Sequence, residues 1–139
     1  LQRGVAPGRL LHTGFIAMAL GGLLAFTPIF PAGTLAAVAV PYAAVLCFSM
    51  VGGLIPGTLF SLAVRVAPGA DTVSTTVGWL QQWSAIGQFA GPPLVAWVAS
   101  QVGGWGASGG VTAAFALAGL ILAAAIGRLK SAAHTPATP

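Results

Sequence analysis

Four long apolar runs, separated by short breaks rich in charged residues, proline or glycine, constrain this chain more than any other feature. Each run is close to or above the roughly 20 mostly apolar residues that an α-helix needs to cross a bilayer. Charged residues make up only 4% of the chain, whereas soluble domains carry about 25%, so a water-soluble fold is excluded. We therefore predict an all-α membrane protein with four transmembrane helices, at residues 10–30, 35–64, 72–100 and 111–129.

The basic residues predict the orientation of these helices. With four spans, every Lys and Arg falls on one side of the membrane, and the positive-inside rule makes that side the cytoplasm. Both the N-terminal segment 1–9 and the tail 131–139, which we expect to be disordered, are then cytoplasmic. No cleavable targeting segment is visible. Because the chain begins at Leu1 rather than Met, and is hydrophobic with a short tail, we expect it to be a piece of a longer polypeptide. The basic residues are Arg3, Arg9, Arg65, Arg128 and Lys130.

The second run contains a cluster of glycine and proline in its second half. Pro56 removes one backbone donor, and glycine on either side lets another backbone approach, so we expect a kink near Gly53. A bent span can serve a cavity that opens and closes. Static packing against a neighbouring helix explains the same residues equally well.

The third run carries most of the polar side chains found at membrane depth. On a helix at about 100° per residue, its polar groups and its glycines share one face about 120° wide. A face of this kind must meet protein or water rather than lipid, so this helix is expected to belong to a larger bundle. The face consists of Gln81, Ser84, Gly87, Gln88 and Gly91.

Catalysis, metal binding and nucleic-acid binding find no support in the sequence. Cys47 is the single cysteine and Asp71 the single acidic residue, too few for a metal site or for a nucleophile, a base and an orienting acid. Asp71 precedes the third run, where we expect it to cap the helix. The five basic residues are spread along the chain and form no patch for nucleic acid. We expect no enzyme activity and no cofactor.

The spacing in the third run is Gly78, eight residues, Gly87, three residues, Gly91 and then Pro92. It resembles the glycine-proline signature of the major facilitator superfamily of transporters, although Val95 and Ala96 stand where that signature has two glycines. The residues around this spacing are similar to the eleventh transmembrane span of bacterial members of the superfamily. The resemblance implies a C-terminal fragment with spans nine to twelve, in a bacterial inner membrane. Spans three to six fit the topology equally well, but the second run lacks the intramembrane arginine often found in the fourth span.

The resemblance also implies roles for particular residues. The second and third runs are similar to the cavity-lining tenth span and to the eleventh span, which packs against the opposite half of such a transporter, while the first and fourth runs would be outer supports. Substrate-pathway candidates are Gln81, Ser84, Gln88, Tyr42 and Ser49. Helix-crossing and hinge candidates are Gly78, Gly87, Gly91, Pro92, Pro93, Gly53 and Pro56.

The implied function is transport of a small solute by alternating access, with the lipid bilayer, the remaining spans and a small-molecule substrate as partners. The glutamines have a second interpretation as hydrogen-bonding contacts between helices, worth about 0.6 kcal/mol each. The whole chain also has an alternative function, as a free-standing four-span protein that acts as an assembly or interaction subunit through its glycine-rich faces.

Overall fold

The computed structural model describes the backbone of residues 6–133 and the side chains of residues 6–128. This part of the chain is helical, with short connections and two 3₁₀ turns at Ala70–Thr72 and Trp105–Ala107. Arg3 and residues 134–139 of the predicted tail lie outside the described residues, as does the side chain of Lys130. The helices are α1 (Pro7–Phe26), α2 (Leu35–Gly52), α3 (Leu54–Val66), α4 (Val73–Val102) and α5 (Ser108–Ala133).

The helix ends differ from the predicted ones by up to four residues. α1 begins at Pro7 rather than residue 10, because proline at the first helical position loses no helical hydrogen bond. It ends at Phe26 rather than residue 30, because Thr27 precedes Pro28 and takes an extended conformation (φ −92°, ψ 122°). α5 continues to Ala133, so the tail predicted from residue 131 is helical over its first three residues.

The second predicted span is interrupted at Gly53, where the kink was expected. Gly53 separates α2 from α3 and keeps helical angles (φ −62°, ψ −20°). Pro56 has no N–H, so the carbonyl of Gly52 loses its helical partner, while Gly57 N–H still donates to the Gly53 carbonyl at 3.3 Å. The interruption therefore follows from one missing donor beside a flexible residue.

α1 packs against α2, α3 and α5, and its contact with α5 is the most extensive in the described chain. Glycines make this contact close. A Cβ on Gly22 would lie 2.9 Å from Thr112 Cγ2, and a Cβ on Gly109 would lie 2.8 Å from the Gly22 carbonyl oxygen. Phe15, nearer the start of α1, lies against Gly119 further along α5. The two helices are therefore antiparallel.

α2 and α3 run along another side of α1 in the opposite direction to it. A Cβ on Gly21 would lie 3.2 Å from Phe48 Cβ, and a Cβ on Gly14 would lie 2.8 Å from Ile55 Cγ1. α3 thus ends near the end of the bundle at which α1 begins. In the turn that follows, Thr72 Oγ1 accepts from Gly69 N–H at 3.0 Å and donates to its carbonyl at 2.9 Å, so Thr72 rather than Asp71 makes the hydrogen bonds before α4.

The interior is built from small side chains, while many large apolar side chains point outward. Leu35 is 83% exposed and Phe89 is 85% exposed. This arrangement, with small residues where helices meet and large apolar residues on the outside, is expected in lipid, where no hydrophobic force draws helices together. The buried apolar residues are Leu11, Ala44, Ala63, Ala99, Ala116 and Ala123.

Three helical segments are long and apolar enough to cross a membrane: Pro7–Phe26, Leu35–Val66 and Trp105–Arg128. The described chain is thus an all-α protein of membrane character. α4 is the longest single helix, with 30 residues, but it is not among these three, because Gln81, Gln82 and Gln88 together with its two prolines lower its hydropathy.

Gly109→Ala should lower the free energy of unfolding by about 1–3 kcal/mol, the usual range for overpacking a close contact. The added methyl group meets the backbone carbonyl of Gly22, which cannot move aside as a side chain can. Gly110→Ala is the matched control, because it lies in the same turn of α5 and has open space around its Cβ position. Unfolding in detergent micelles measures both variants. Equal stabilities would contradict the close α1–α5 contact.

Candidate functional site

The middle of α4 is uncovered on all sides. Each of the ten residues from Gln81 to Ala90 is exposed, including Ser84 and Gln88. The backbone of α4 approaches α3 and α5, and within residues 6–133 it does not approach α1 or α2. Polar side chains in the central part of this apolar helix are therefore exposed rather than packed against another helix of residues 6–133.

Ser84 and Gln88 form a polar pair on this surface. Gln88 Nε2 donates a hydrogen bond to Ser84 Oγ at 3.1 Å, one helical turn away. Because Pro92 and Pro93 lack N–H groups, the backbone carbonyls of Gln88 and Phe89 have no helical donor four residues on. Position 88 thus offers a side-chain amide together with a backbone carbonyl that lacks its usual helical donor. The groups are neutral, so this surface can hydrogen-bond a solute or another helix but cannot select by charge.

The glycines of α4 make no close helix crossing within the described chain. A Cβ added to Gly78, Gly87 or Gly91 meets nothing within 4 Å. The close approach predicted for Gly87 and Gly91 is thus not made by another helix of residues 6–133.

Sequence reasoning missed the glycines that do make close contacts. A Cβ on any of them would lie within 3.3 Å of a neighbouring helix. A signal was present, since Gly14 and Gly21 are seven residues apart and so share one face of α1, but the chain has 20 glycines and many have comparable spacing. These glycines are Gly14, Gly21, Gly22, Gly109 and Gly119.

Open grooves separate α4 from the rest of the bundle. One groove, of about 180 Å³, lies between α3 and α4 and is lined by Ser84 and Pro56. The structure therefore brings the pathway candidate Ser84 close to the hinge candidate Pro56. Gly91 lines another of about 230 Å³, facing Phe15 of α1 and Phe115 of α5. The predicted polar face of α4 therefore borders space rather than packed side chains.

The two candidates on α2 lie apart from those on α4. Tyr42 and Ser49 are exposed, and because they are seven positions apart they share one face of α2. Because α2 makes no contact with α4 in the described residues, this chain alone does not bring Tyr42 and Ser49 together with Gln81, Ser84 and Gln88.

Tryptophan residues occupy the opposite face of α4. At about 100° per residue, Trp79, Trp83 and Trp97 lie within about 40° of one another and more than about 80° from Gln81, Ser84 and Gln88. Their exposed fractions are 60%, 66% and 61%. α4 thus has an aromatic face and a polar face, of which the aromatic face is the one suited to lipid.

The chain matches no protein-family model, no curated protein and no solved structure. The likeness to a transporter signature rests on the spacing of Gly78, Gly87, Gly91 and Pro92 and on the residues around it. Function must therefore be argued from the geometry of α4 and its neighbours.

Gly91→Leu should leave the free energy of unfolding unchanged or raise it by up to about 1 kcal/mol, because leucine favours helix over glycine and an open groove receives the side chain. Gly22→Leu makes the same substitution in α1 but meets Thr112, and we expect it to lose at least about 2 kcal/mol. Thermal unfolding in detergent compares the two. A loss at Gly91 as large as that at Gly22 would show that α4 packs more closely than the structure shows.

Proposed function

We propose that this chain is part of a secondary transporter of the major facilitator type, which moves a small solute across a membrane by alternating access. The uncovered polar surface at Gln81, Ser84 and Gln88 carries this proposal. Exposed to lipid, its amides and backbone carbonyls would lack partners, at a cost of several kcal/mol for each unsatisfied group. Water, solute or further helices must therefore cover it, and a solute pathway at a helix interface supplies all three.

Chain direction supports a fourth span. α3 ends near the end of the bundle at which α1 begins, whereas α5 begins near the end at which α1 ends, as the contacts of Gly14 with Ile55 and of Gly22 with Thr112 indicate. α4 joins these two ends, and its 30 residues extend about 45 Å. If α1, α2–α3 and α5 cross the bilayer, α4 crosses it too.

The same contacts support an orientation. Arg9 in the first turn of α1, Arg65 in the last turn of α3 and Arg128 near the end of α5 belong to one end of the bundle. By the positive-inside rule this end faces the cytoplasm. In this proposal the membrane is a bacterial inner membrane, both termini are cytoplasmic, and the remaining spans of the transporter cover α4.

The interruption at Gly53 suits a moving part in such a transporter. Pro56, one turn later, borders the groove that also contains Ser84, so a change of angle between α2 and α3 changes the width of this groove. Hinges formed by a few residues at helix ends are a common device for domain motion.

A second function is favoured by the glycines of α4. Gly78 and Gly87 have open space at their Cβ positions, and small residues on an exposed helix face allow another helix to pack closely. In this alternative the chain is a free-standing membrane protein that assembles with itself or with another protein through α4.

Cysteine labelling in native membranes distinguishes these functions. In a Cys47→Ser background, Gln88→Cys should react with a membrane-impermeant maleimide added from either side, because alternating access opens the pathway to each side in turn. Phe89→Cys is the matched control on the neighbouring position, which points about 100° away. We expect it to react at least about tenfold more slowly, because only a thiol in contact with water ionises and meets the reagent.

Two other labelling outcomes would contradict the transport proposal. Labelling of Gln88→Cys from one side only would contradict alternating access. No labelling from either side, together with oxidative cross-linking of Gln88→Cys between two copies, would contradict transport and support the assembly function.

A further inference from the structure

A groove between α3, α4 and α5 has a volume of about 360 Å³. We name it the tryptophan groove. Three lining residues carry a polar side-chain atom: the Thr76 hydroxyl, which donates to the Thr72 carbonyl at 3.0 Å, and the indole N–H groups of Trp79 and Trp83. The rest of the lining is aliphatic and aromatic carbon, which suits a hydrocarbon chain. Its main lining residues are Leu59, Leu62, Val66, Trp79, Trp83 and Ile126.

The tryptophan groove lies near the basic end of the bundle. On α3 it extends from Leu59 to Val66, about 10 Å along the helix, and Arg65 directly precedes Val66 in the last turn. Arg65 is exposed and forms no ion pair with a described residue. Arg9 and Arg128 lie at the same end. A positive potential thus borders an apolar slot.

This combination indicates lipid rather than a further protein helix. Tryptophan and arginine near the same end of a membrane protein are typical of the region just below the lipid headgroups. Basic groups beside a slot between helices attract anionic headgroups, whereas an apolar helix would gain nothing from the exposed guanidinium of Arg65.

We propose that the tryptophan groove binds one acyl chain of an anionic phospholipid, with the phosphate of its headgroup at Arg65. Trp79 and Trp83 lie along the acyl chain, below the headgroup. This site lies on the aromatic side of α4, away from Gln88, so it does not depend on the proposed transport function.

Fluorescence quenching tests the site. The full chain with Trp97→Phe and Trp105→Phe retains Trp79 and Trp83 as its reporters, and is reconstituted in phosphatidylcholine vesicles. A small fixed fraction of the lipid is replaced by brominated phosphatidylglycerol or, in a parallel sample, by brominated phosphatidylcholine. We expect phosphatidylglycerol to be enriched about fivefold over phosphatidylcholine next to Trp79 and Trp83. This is the ratio that corresponds to the attraction of an anionic lipid by one basic residue near the membrane surface.

Charge variants separate a specific site from general attraction. Arg65→Gln should abolish the preference for phosphatidylglycerol, and Arg65→Lys should retain most of it. Arg9→Gln is the matched control, because it removes the same charge from the same end of the bundle but from a helix that does not line the groove, and it should retain the preference. Circular dichroism confirms that each variant is helical.

Three results would overturn the proposal. Equal quenching by the two brominated lipids would show that the site does not select anionic lipid. An equal loss of the preference for phosphatidylglycerol in Arg65→Gln and Arg9→Gln would show that general surface charge, rather than a specific site, attracts the lipid. Absence of quenching by either lipid would show that protein covers Trp79 and Trp83.

Discussion

The close antiparallel contact of α1 with α5 determines the rest of the structure. It exists because Gly22 and Gly109 have no side chains, so the Gly22 carbonyl can lie against the backbone of α5. In lipid, where burial of apolar surface gives little attraction between helices, such backbone proximity and the van der Waals contacts it permits are the main source of association. Phe15, seated against Gly119, extends the contact along both helices.

The same contact determines what α4 must do. Since α5 begins where α1 ends, and α2–α3 returns to where α1 begins, α4 has to connect opposite ends of the bundle. It does so with little packing of its own, and grooves remain on the sides that face α3 and α1 with α5. The helix with the most polar surface is thus also the helix least held by its neighbours, which is what a part that moves or awaits further protein requires.

Much of the secondary structure could be predicted from the sequence, because apolar runs and prolines act locally. The interruption at Gly53 follows from Pro56, and the polar face of α4 follows from helical periodicity. The position of the helix ends depended on finer local effects, such as the tolerance for Pro7 at a first helical position. The tertiary contacts could not be predicted: whether Gly22 or Gly87 meets another helix depends on which helices are neighbours, and spacing along one helix does not contain that information. For the same reason, the sequence could not tell that Tyr42 and Ser49 lie on a helix that does not contact α4.

Three glutamines in the first two thirds of α4, Gln81, Gln82 and Gln88, and its two prolines also bear on how the protein enters the membrane. During synthesis each helix partitions between the aqueous insertion channel and lipid, and polar residues near its centre oppose the transfer. α1 and α2–α3 are long and apolar enough to cross a membrane, whereas the glutamines and prolines make α4 less apolar. If α4 crosses the bilayer as proposed, the strongly apolar α5, which is made directly after it, offsets this cost when the two helices enter together.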